Sequence, residues 1–139
     1  MSGESAFQDA VLSVLNAAPS VKALLGEPAR AYPAAPAGAS FPYLVFGASV
    51  SEPRDGGQAD LLHHRLTLQV RGRREDPDEV RQTLNAVRSV LHHAELTLVE
   101  PWRCVLVRVV YSDIMRSGDR RGWTGLLRLS ALIEKLEAA

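Results

Sequence analysis

The runs "VLVRVVYS", residues 105–112, and "LLRLSALI", residues 126–133, enclose the stretch "MRSGDRRGWTG" from Met115 to Gly125. In the first run Val105, Val107, Val109 and Tyr111 fall at alternate positions, and in the second Leu127, Leu129, Ala131 and Ile133 do. A period of two marks a strand with one buried face, because successive side chains point to opposite sides. Two such runs joined by a polar, glycine-bearing link read as an antiparallel hairpin. The link, Arg116 to Gly122, carries three arginines, one aspartate and two glycines, with no large apolar side chain. It is expected to form the tip of a long hairpin reaching beyond its sheet. Its chemistry leaves three uses open: cradling a phosphate, holding a catalytic pair, or docking onto another protein.

Working outward, Leu66, Leu68 and Val70 alternate with Arg65, Thr67, Gln69 and Arg71, a second half-buried strand. PYLVFG makes another, with Pro42 at its first position, where no ladder hydrogen bond is lost. ELTLVE, residues 95–100, reads as a further short strand. Phe7, Ala10, Val11, Val14, Leu15 and Ala18 recur at helical spacing, predicting a helix over residues 5–18 with Ser5 as N-cap and Pro19 as its stop. VKALL is a short second helical turn ending at Gly26. Asp76-Pro77 opens the second main helix, whose stripe is Val80, Leu84, Val87 and Leu91. ARAYPAAPAGASFP and the polar stretch Ser49–Asp60 read as loops, the latter mobile in a free subunit.

These elements make one α+β domain over residues 1–139. The expected form is a mostly antiparallel sheet of four to five strands, two main helices on one face, and the projecting hairpin. On the other face Leu106 and Val110 alternate with Cys104 and Arg108. A half-apolar second face suggests cover by another subunit.

Sixteen basic residues, fourteen of them arginine, balance sixteen acidic ones. No global field therefore draws the chain to nucleic acid or an anionic membrane. Arg71, Arg73 and Arg74 at a strand end are the residual argument for nucleic acid, but few aromatic residues stand among them to stack on bases. No signal peptide or apolar span is read, so synthesis and folding in the cytoplasm are expected. The single cysteine, Cys104, excludes a disulfide framework and reads as a packed, inert thiol.

His63-His64 and His92-His93 tempt a metal reading, but adjacent strand residues face opposite ways and no further ligand stands at a matching spacing. The second pair suits a helix C-terminus. There is no G-x-S-x-G elbow, and RSGDRRG lacks the Lys-Ser/Thr of a P-loop and a following helix. The expectation is a chain without catalysis, metal or cofactor. The rivals from other classes are a small α+β enzyme or ligand-binding domain, and a DNA-binding module.

Taken in order, FPYLVFG (41–47), the polar loop, HRLTLQVRGR (64–73), VRSVLHHAELTL (87–98) and DIMRSGDRRGWTGLLRLSALIE (113–134) resemble one family. It is that of the tail completion or tail terminator proteins of long-tailed phages and phage-like gene transfer agents. The resemblance implies a structural virion protein forming a ring, typically a hexamer, on the head-proximal end of the tail tube. Its partners would be further copies of itself, the tube protein and a head-side connector or stopper. Arg116, Arg120 and Arg121 would then be pairable charges at a docking tip beside Asp119, with Trp123 as an anchor. Arg54 and Asp55 would serve the second polar loop, and Leu106, Arg108 and Val110 the contact between subunits.

Overall fold

In the computed structural model, residues 1–54, 60–73, 75–117 and 122–136 are described. The chain order is α1 (Gly3–Ala17), α2 (Pro19–Leu25), β1 (Ala31–Tyr32), β2 (Tyr43–Pro53), β3 (Asp60–Arg73), α3 (Pro77–Leu91), β4 (Trp102–Arg116) and β5 (Gly122–Lys135). The strands form one sheet in the order β1-β2-β3-β5-β4. Only the short β1–β2 pair is parallel. The α+β class and the mostly antiparallel sheet are as the sequence predicts.

The helices lie on one face. Phe7, Ala10, Val11 and Leu15 of α1 are buried, as are Val80, Leu84, Val87 and Leu91 of α3. Beneath them lie Leu66, Leu68 and Val70 of β3, and Leu127, Leu129, Ala131 and Ile133 of β5. Full burial of a Leu, Val or Phe side chain is worth roughly 1.5–3 kcal/mol, so this layer supplies most of the driving force for folding. Asp76 caps α3, its side chain accepting from the Glu79 N–H at 3.2 Å, with Pro77 in the first turn.

The approach of α3 to the sheet depends on two glycines. A Cβ on Gly125 would lie 2.6 Å from Val80 Cγ1 and 2.7 Å from Leu84 Cδ1. A Cβ on the neighbouring-strand Gly72 would collide with the same valine. With hydrogen in place of a methyl at both points, the helix stripe drops onto the backbone of β3 and β5.

Several sequence expectations are corrected. The N-cap of α1 is Ser2, which accepts from the Ser5 N–H, so the helix begins earlier than predicted. Pro19 does not merely stop α1; it occupies the first turn of α2, where its missing N–H costs nothing. Ala31–Tyr32, expected in a loop, pair with Leu44–Val45. Ser49–Pro53, also expected in a loop, continue β2 past an irregularity between Phe46 and Ser49. That leaves Arg54–Gln58 and Ala59 as the connection, of which residues 55–59 lie outside the described residues, and with them the expected mobility. ELTLVE is no strand: it pairs with no strand among the described residues, although Leu96 and Leu98 are buried.

The largest correction concerns β4. Its register against β5 slips between Cys104 and Leu106 and again between Val109 and Tyr111. Each extra residue reverses the facing of those that follow. Only Val107 and Val109 of the predicted inner set are buried, while Val105 and Tyr111 are exposed. The hairpin itself is present, but it does not outrun its neighbour: β3 accompanies β5 as far as Arg73 opposite Gly122. Any projection is confined to residues 118–121, outside the described residues.

Leu84→Ala should cost about 2–5 kcal/mol through the lost contacts and the cavity left behind. Gly125→Val should cost about 1–3 kcal/mol by overpacking the same contact. Chemical denaturation checks both, and unchanged midpoints would show that α3 does not rest where described.

Candidate functional site

The sheet face turned away from the helices has no cover among the described residues. It carries Val50, Leu106, Tyr111 and Met115 as exposed apolar side chains, mixed with Arg65, Arg108 and Arg128. Val110, the extra residue at the second slip of β4, is half exposed at 50%. Tyr111 is tethered on that face: its hydroxyl donates to Asp113 Oδ2 at 2.6 Å, and the Arg128 guanidinium lies 4.8 Å from its ring centre.

Toward the end of the sheet where β2 finishes, this face holds an open groove of about 300 Å³. Arg54, His63, Leu106, Arg108, Ser130 and Leu132 line it, so the structure brings together three of the predicted interface residues, Arg54, Leu106 and Arg108. His63 Nε2 lies 2.6 Å from Ser130 Oγ, and its Nδ1 lies 3.4 Å from Arg54 Nη2. Sequence reasoning missed His63 and Ser130 as members of the groove. Facing them across strands needs the β3–β5 register, which pairs His63 with Leu132 and His64 with Ala131.

Arg116 and Trp123 stand at the opposite end of the sheet, at the base of the hairpin tip. Trp123 is half-buried against the core, and the Arg116 guanidinium sits 5.5 Å from its ring centre. Asp55, Asp119, Arg120 and Arg121 lie outside the described residues. β2 enters its turn at the end where β5 finishes, and β4 enters the tip at the end where β5 begins. The two polar connections therefore leave opposite ends of strands about 45 Å long.

The histidines have structural work. His64 is fully buried, edge-on to Phe7 with ring centres 5.5 Å apart, and its Nδ1 lies 2.8 Å from Ser51 Oγ. Burial holds its pKa below the usual value; Glu4 pulls the other way and His63 adds to the lowering. His92 and His93 close the free edge of β4. The Val109 N–H donates to His92 Nδ1 at 3.0 Å, and the His93 N–H donates to the Val107 carbonyl at 3.0 Å. His93 takes a left-handed φ of 58° to do so. An exposed edge strand is a template for unwanted pairing, and this turn occupies its middle. The pKa of His92 is lowered too, by desolvation and then by His93, Arg88 and Arg108.

Cys104 is half-buried on the core side, and burial pushes its thiol pKa up, as suits an inert thiol. Among the described residues no three His, Cys, Asp or Glu side chains gather in a way that could hold a metal. No described helix is long and apolar enough to cross a membrane.

The fold is an α+β subunit with one sheet face open among the described residues, the β4 edge capped at its middle and polar connections leaving both ends of the sheet. The sequence pattern of the family described as tail completion protein gp17 matches residues 9–134, and the chain belongs to that family. Its role is accordingly structural, in completing the tail of a phage-type particle. A protein in the structure titled "Virion of native gene transfer agent (GTA) particle" has the same fold: TM-score 0.84, 22% identity, 94% of this chain and 96% of that one covered. No curated protein matches the chain in sequence.

Both His64 and His92 resist protonation in the folded state, so the unfolded chain takes up protons first as pH falls. Stability should be full above the ordinary histidine pKa of about 6.5 and decline below it. Melting temperatures measured from pH 8 to pH 5 should show that decline, with a shallower slope in His64→Gln. Equal slopes in the two proteins would remove His64 from the account.

Proposed function

We propose that copies of this chain close into a ring, six in number, that ends the tail tube and joins it to the head-side connector. The observation that carries the reading is the placement of one uncovered, half-apolar sheet face between two polar connections at opposite ends of the strands. A closed ring needs lateral contacts between unlike patches on neighbouring copies. The open face, with Leu106, Arg108 and Val110, supplies one of those patches. A terminator also needs two axial surfaces, one for the tube and one for the connector. The connection after Arg54, with Asp55, supplies one; the tip from Arg116, with Asp119, Arg120, Arg121 and the neighbouring Trp123, supplies the other. Arg and Trp are the residue types that dominate interface energies. On this reading the chain has no catalytic turnover and needs no cofactor or metal. It also has no sequence-specific hold on nucleic acid and no membrane partner.

Reversing two charges at the tip, Arg120→Glu with Arg121→Glu, should change stability by no more than about 0.5 kcal/mol, as for most surface substitutions. Joining should fail, because like charges facing each other across an interface cost several kcal/mol. The expected result in a complementation assay is folded protein with free tails or overlong tubes accumulating. A normal yield of complete particles would take the tip out of the interface.

A further inference from the structure

We infer that the acidic segment Glu95–Glu100 of one copy seats in the arginine-lined groove on the open sheet face of the next copy. The inference rests on the ring reading and supplies it with a specific lateral contact.

The groove is cationic. Among the described residues no aspartate or glutamate lines it, and Arg108 makes no ion pair. Arg54 meets the Glu52 carboxylate at 3.9 Å, between two half-exposed side chains, which is worth little, and its other close contact among the described residues is His63 Nδ1 at 3.4 Å, which is not an anion. Leu106 and Leu132 give the groove an apolar side.

The segment has the complementary character. It joins α3 to β4 outside any helix or strand, with Leu96 and Leu98 turned into the core. Glu95, Thr97, Val99 and Glu100 therefore face outward, and Val99 is 54% exposed between the two carboxylates. Neither glutamate makes an ion pair among the described residues. Among the described residues the one backbone hydrogen bond of the segment is the Val99 carbonyl accepting from the Trp102 N–H at 3.0 Å. Two carboxylates without an ion pair among the described residues, flanking an exposed valine, suit a cationic groove with an apolar side.

The spans agree as well. The five residue-to-residue steps from Glu95 to Glu100 reach about 16–18 Å when fully extended. Arg54 follows β2 opposite Leu61 and Arg108 lies on β4, three strand spacings apart (about 14 Å) and offset by four residues along the strands (about 13 Å), so their backbones are about 19 Å apart. Flexible arginine side chains absorb the difference. Seated in this way, the carboxylates meet the arginines and Val99 lies on Leu106 and Leu132. Groove and segment are different patches of one chain, so the contact is head-to-tail, the kind that generates rings.

The test is the molar mass of the purified full chain, measured by multi-angle light scattering over a concentration series. Arg108→Glu, and separately Glu95→Arg with Glu100→Arg, should each weaken self-association by roughly a hundredfold while circular dichroism stays unchanged. Arg108→Ala is the milder variant should the reversal disturb folding. Combining Arg108→Glu with the two glutamate reversals should restore association. Wild-type oligomers that are indifferent to these changes, or a combined variant that stays dissociated, would overturn this contact and leave the ring reading standing. A wild-type chain that remains monomeric at every concentration would overturn both.

Discussion

The contact of α3 with the sheet over Gly72 and Gly125 is the constraint on which the other features depend. Two neighbouring strands lack side chains at the point where Val80 and Leu84 descend, so the helix seats directly on backbone. That seat directs all three helices to one side and collects the apolar half of β3 and β5 beneath them. With a single helical layer, the opposite face stays open. The same helix ends at His92 and His93, which reach across to Val107 and Val109 and close the free edge of β4. The subunit thus offers a side-chain face for contact, beside a β4 edge that is capped at its middle.

That distinction bears on function. Sheet edges invite indiscriminate pairing, whereas a mixed apolar and cationic face accepts a partner of particular shape and charge. The titratable groups fit the same account. His64 is committed to Phe7 and Ser51 in the core, and Cys104 has a thiol pushed away from reactivity. Membership of the tail completion protein gp17 family and the fold shared with a gene transfer agent virion protein place these features in a structural role.

The sequence made the elements with long, uninterrupted periods legible. The α3 stripe, the alternation of β3 and β5, and the hairpin joining β4 to β5 are all visible in it. What it concealed depends on register. The two slips in β4 move Val105 and Tyr111 off the core without any change in the local alternation of apolar residues. Ser49–Pro53 is polar, with Ser49 and Ser51 meeting the ring of His64, so composition suggested a loop where pairing with β3 continues. ELTLVE alternates because Leu96 and Leu98 face the core, and that pattern is the same whether or not a strand partner exists. The interface residues were partly visible. Arg54 and Arg108 are distant in sequence, and only the sheet order brings them to one groove with His63 and Ser130.

The central claim is that the open sheet face is a buried surface in the assembled tail. Cryo-electron microscopy of the purified particle at side-chain resolution tests it most directly. The account predicts that Leu106, Arg108 and Val110 lie against a neighbouring copy while the solvent side of α3 faces water. A tail end in which the helices make the lateral contacts and the sheet face stands open to solvent would contradict it.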